Sequence, residues 1–143
     1  MKKIIIGIVA IIILLGSFMA FKMLQSPPDD LDLRTEHLSE NGLYLVSFVP
    51  EKGVPREGPI HAWLATIKTK TGKLVAGATV TLDGGMPQHG HGLPTSPSLE
   101  DEIAPGVYRI DGVKFSMSGW WEFKLDIESE DGTDRAVFNV VLD

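Results

Sequence analysis

Trp120-Trp121-Glu122-Phe123-Lys124-Leu125-Asp126-Ile127-Glu128 alternates without a break. Trp121, Phe123, Leu125 and Ile127 fall on one face, and Trp120, Glu122, Lys124, Asp126 and Glu128 on the other. A period of two is the mark of a strand with one face in a core and one in water. Glu130-Asp131-Gly132 then reads as a hairpin turn, and Arg135–Leu142 as the returning strand. Working toward the N-terminus, the same pattern predicts strands at Leu43–Val49, ended by Pro50, at Ile60–Thr69, at Ala78–Leu82 and at Val107–Val113. Six or seven short strands with regular turn signals predict an all-β domain, an immunoglobulin-like β-sandwich. The piece left without a pattern is Asp83–Pro105, and long loops in compact domains are functional or disordered.

Ahead of this domain lies Ile4–Phe21, an uncharged run rich in Ile, Leu and Val. Its eighteen residues cover roughly 27 Å as a helix, close to the hydrocarbon thickness of a bilayer. A secretory signal peptide is the competing reading. Its apolar region is shorter, and cleavage after Ala20 would put Phe18 where a small residue is wanted. An uncleaved single-pass helix is therefore expected. Lys2 and Lys3 place the N-terminus in the cytoplasm, and Lys22 weakens that contrast by one charge. The rest would lie in the periplasm or outside the cell. The expected organisation is residues 1–24 as anchor in membrane lipid, 25–41 as a polar, Pro-containing tether, and 42–143 as the extracytoplasmic sandwich. His37, in the tether, is expected to face solvent.

Charge and composition narrow the function. Residues 25–143 carry ten basic against nineteen acidic side chains, a net charge of −9. Such a domain is a poor nonspecific partner for nucleic acid, whose phosphates call for Lys and Arg. The chain has no cysteine, which excludes disulfides, thiolate sites and thiol chemistry. Catalytic signatures are absent from the sequence too: there is no Gly-x-Ser-x-Gly and no phosphate-cradling Gly-rich loop. A non-enzymatic role is expected.

The chemistry-bearing residues gather in Met86-Pro87-Gln88-His89-Gly90-His91-Gly92. Imidazole is the commonest metal-binding side chain, and thioether sulfur is a soft donor suited to Cu(I). Imidazole must be neutral to ligate, whereas thioether cannot be protonated away. Met86, His89, His91 and Met117 are the candidate ligands, with His61 a possible fifth. Shared ligation by His89 and His91 requires the chain around Gly90 to present both rings on one side of the loop. The histidines would otherwise brace the loop, the methionines would fill gaps in the core, or the loop would contact a protein. One of Trp120 and Trp121 is expected in the core, with the other half-exposed.

Several of these pieces form a familiar series. They are Gly42-Leu43-Tyr44, Ile60-His61-Ala62-Trp63, the Met86–Pro97 stretch, Gly106-Val107-Tyr108-Arg109 and Phe115-Ser116-Met117-Ser118-Gly119-Trp120. Their order resembles the YtkA-like, or FixH-like, family of small membrane-anchored extracytoplasmic domains, over nearly all of residues 42–143. The resemblance implies an immunoglobulin-like sandwich. It also suggests a link to copper handling or to assembly of respiratory oxidases. Two functions follow as expectations: binding or delivery of Cu(I), with an integral membrane protein such as an oxidase as partner, or a metal-free accessory subunit whose sandwich caps a membrane complex.

Overall fold

The computed structural model describes residues 2–23 and 27–143; within the N-terminal helix, side chains are described at residues 4–18 and 21. Gln25 and Ser26 of the expected tether, and the side chains of Lys2, Lys3, Ala20 and Lys22, lie outside the described residues. The helix, α1, runs from Lys2 to Met23, and each of its described side chains is exposed. Among the described residues, no helix is long and apolar enough to cross a membrane. The uninterrupted run of described side chains, 4–18, is shorter than the Ile4–Phe21 run on which the span was predicted.

Among the described residues nine strands follow: β1 Glu36–Leu38, β2 Tyr44–Pro50, β3 Ile60–Thr69, β4 Thr79–Met86, β5 His91–Gly92, β6 Ser98–Ala104, β7 Val107–Lys114, β8 Gly119–Ser129 and β9 Gly132–Leu142. They form two antiparallel sheets, β1-β2-β3-β7-β6 and β5-β4-β8-β9. The arrangement is sandwich-like. The inward faces carry the alternation read from sequence. Trp121, Phe123, Leu125 and Ile127 are fully buried, and they meet Tyr44, Val46, Phe48, Trp63, Ala65 and Ile67 of the other sheet in one core. Phe48 stacks on Trp63 with ring centroids 4.7 Å apart, and Trp63 lies 5.5 Å from Phe123. Trp120 is the half-exposed one of the pair, and its Nε1 donates to Asn139 Oδ1 at 2.9 Å.

Two expectations are corrected. Asp83–Pro105 is not one irregular loop. β4 continues through Gly84 and Gly85 to Met86, and β5 and β6 lie within the remainder. Gly84-Gly85 reads as a turn, but the glycines serve close packing of backbones. A Cβ on Gly84 would lie 2.6 Å from Glu122 O, and one on Gly85 2.3 Å from His91 O. Glycine inside a strand marks this kind of approach. The second correction concerns His37. It is half-buried in β1, with its ring 4.3 Å from that of Phe138. The sheet thus begins before Gly42, because the residues around His37 add a short edge strand to β2.

Candidate functional site

Met86, the last residue of β4, faces the core at 1 % exposure. The next residues turn sharply: Met86 O accepts the backbone N–H of both His89, at 3.0 Å, and Gly90, at 2.9 Å. Gly90 closes the turn at φ +67°. That region is costly for residues with a Cβ and open to glycine. His91 then pairs with Met86 across the β4–β5 ladder. The His89 and His91 rings lie 5.9 Å apart between centroids and are inclined at 37°.

The ring nitrogens of the pair have different partners. His91 Nδ1 lies 2.9 Å from Gly92 O. A carbonyl only accepts, so Nδ1 is the donor of this contact and Nε2 is the nitrogen that a neutral ring would offer to a ligand. His89 Nδ1 is buried without a hydrogen-bond partner, as are His37 Nε2 and Trp63 Nε1 among the described residues. An orphaned buried polar atom costs free energy, and in a native site it calls for an explanation such as an ion. The spacing suits one. With metal–nitrogen bonds of roughly 2.0–2.1 Å, two imidazoles on one ion have centroids at most about 6.4 Å apart.

Met86 packs in the core beneath the turn. Its methyl carbon would lie 3.0 Å from a Cβ placed at Gly119, where β8 begins. Trp121, two residues on, presents its ring edge-on to His91 with centroids 5.9 Å apart. Met117 sits on the neighbouring β7–β8 connection. Its carbonyl accepts Trp121 Nε1–H at 3.1 Å, and its side chain is 36 % exposed. An open cleft of about 230 Å³ borders the turn, lined by Asp83, Met86, His91, Glu122 and Lys124 among others. Lys124 Nζ pairs with Glu122 Oε1 at 3.0 Å across it.

His61 stands apart from this group. Its Nε2 is 3.0 Å from Arg56 O, and its ring packs 5.8 Å from Phe115. Phe115 in turn lies edge-on to Trp121, so two aromatic rings stand between His61 and His91. The structure therefore gathers Met86, His89 and His91, sets Met117 on the adjoining loop, and leaves His61 with the Arg56 loop. No group of three or more His, Cys, Asp or Glu is placed to hold a metal ion among the described residues. A metal site here would need thioether as well as imidazole. The role of Trp121 as a wall of the turn escapes sequence reasoning, although its place after Met117-Ser118-Gly119 was the available signal.

The class of molecule is defined by this point: a two-sheet antiparallel domain behind an N-terminal helix, with a Met/His turn at one end. The YtkA-like family model matches residues 39–126, more than half of the 143 residues, and the chain belongs to that family. The match holds the whole turn and stops within β8, short of β9. Membership suggests an extracytoplasmic accessory domain. No curated protein matches the chain.

Proposed function

We propose that this protein is a membrane-anchored extracytoplasmic domain that binds Cu(I) and delivers it to an integral membrane partner, a respiratory oxidase under assembly. In this reading α1 is the anchor and the two sheets are an immunoglobulin-like sandwich. The carrying observation is the His89–His91 pair, 5.9 Å apart, with His89 Nδ1 buried and unpartnered. His89 through Nδ1, His91 through Nε2 and the thioether of Met86 would hold the ion, with Met117 as the exposed thioether of the neighbouring loop. The donor set favours a soft ion: zinc seldom takes thioether, and Mg²⁺ or Ca²⁺ prefers oxygen. Trp121 and the core beneath it fix His91, and Gly90 closes the turn between the two rings. No residue in this reading supplies a nucleophile or a proton relay, and the role is not enzymatic.

Anaerobic titration of the full chain in detergent with Cu(I), against a competing chelator, tests the proposal. One site is expected, abolished in the His89→Ala, His91→Ala double variant. Gly90→Val retains both imidazoles but disfavours the required φ, and should weaken binding at least about tenfold. Absence of binding by the parent chain would leave the metal-free accessory subunit as the function.

A further inference from the structure

The strand register decides which loops share an end. Pro50 of β2 lies opposite Trp63, Ile60 of β3 opposite Lys114, Met86 of β4 opposite His91, and Gly119 of β8 opposite Leu142. The two sheets meet there through Phe115 and Trp121, 5.3 Å apart between centroids. The chain arriving from α1 joins the domain at this same end. Thr35 O accepts from Phe48 N at 2.8 Å, and Asp32 O from Asn139 Nδ2 at 3.1 Å.

That end is also where apolar side chains are left in the open. Val54 is 85 % exposed, the highest value among the described large hydrophobic residues, and Ile60 is 62 % exposed. Leu33 and Val141, also exposed, line a cleft with Pro55 of the β2–β3 connection. Val54 tips the loop between β2 and β3, with Lys52 and Arg56 two positions to either side. Glu51 is turned to Arg109, 2.9 Å away, which leaves Glu57 as the acidic residue of residues 52–59. In a domain of charge −9, this loop presents two cations around an apolar tip.

We propose that this end of the sandwich rests on the bilayer surface, with Val54 entering the headgroup layer and Lys52 and Arg56 pairing with anionic lipid phosphates. The inference rests on α1 being a membrane anchor. The connection supports it: nine residue steps from Met23 to Asp32 reach at most about 30 Å. That is roughly the length of the ten-residue strand β3, so the end where the chain enters is the one held near the membrane. Interfacial binding needs apolar area plus attraction to anionic lipid, and the loop offers both.

The cysteine-free chain allows single labels at Val54→Cys and, on the opposite turn after β3, at Thr71→Cys. The full chain would be reconstituted into phosphatidylcholine vesicles with or without phosphatidylglycerol, and the fluorescence of each label quenched by nitroxide lipid. Quenching at position 54 should exceed that at 71 by about twofold or more. It should grow with phosphatidylglycerol and fall to the level of position 71 in the Lys52→Glu, Arg56→Glu background. Equal quenching at both positions in a chain that floats with the vesicles would overturn this orientation and leave the anchor intact, pointing to a protein partner for Val54. A chain that does not float would overturn the anchor and the orientation together.

Discussion

Asp134 is 4 % exposed, yet it holds a charge. Its carboxylate accepts from Ser39 Oγ at 2.6 Å, Asn41 Nδ2 at 2.9 Å, Leu43 N at 3.1 Å and Arg135 N at 2.8 Å. Burial pushes the carboxyl up. The hydrogen bonds from Ser39, Arg135, Leu43 and Asn41 outweigh it and hold the group well below the usual carboxylate range. The folded form thus binds its proton less readily than the unfolded chain. The resulting stability is complete above the unfolded value of about 3.9 and is lost as pH falls below it toward the folded value. Asp134→Asn should cost about 2–3 kcal/mol at neutral pH and should narrow its gap to the parent below pH 4, read by urea unfolding at a series of pH values. Parallel curves for the two chains would remove Asp134 from this role. Nothing in residues 39–41 announces a carboxylate 95 positions away; polar residues before a strand read equally well as tether.

Strands with a clean period of two were legible from sequence, and those without one were not. β8 alternates from Trp120 to Glu128 because a core lies on one side and water on the other. β6 does not: in Ser98–Ala104 only Leu99 and Glu102 are half-buried, and Glu100-Asp101-Glu102 resembles a solvated loop. It is an edge strand, and charges on an edge discourage pairing with other chains. It is held by its antiparallel ladder with β7, to which Arg109 of β7 adds a contact with Glu100. The end of β4 was hidden for a different reason, since close backbone approach uses the same Gly-Gly that a turn would. This supplies a contrast within one ladder. Gly85→Ala would set a methyl 2.3 Å from His91 O, whereas at Gly92 the nearest neighbour is Gly84 O at 3.5 Å. Gly85→Ala should destabilise by about 1–3 kcal/mol and displace His91. Gly92→Ala should stay within about 1 kcal/mol. Equal melting temperatures for both variants would show that the β4–β5 approach is looser than described.

At the scale of the whole molecule, the candidate ligands and the entry of the chain share one end. The Met/His turn, the exposed Met117 and the chain from α1 all lie at the end where the two sheets meet through Phe115 and Trp121. An orphaned buried nitrogen lowers stability, and functional sites are where proteins keep such costs. If His89 Nδ1 is kept unpartnered in order to take an ion, stability and binding should separate cleanly on replacement. His89→Leu removes the orphan and retains apolar bulk, so without metal its melting temperature should equal or exceed that of the parent. Cu(I) at a hundredfold excess over its dissociation constant should stabilise the parent by about 2.7 kcal/mol. For a domain of this size that is a rise of roughly 10 °C, and His89→Leu should show almost none of it. Calorimetry of the two chains, with and without Cu(I), reads both effects at once. A lower melting temperature for metal-free His89→Leu would mean that the imidazole is a brace of the turn. In that case the accessory-subunit reading would take precedence over copper.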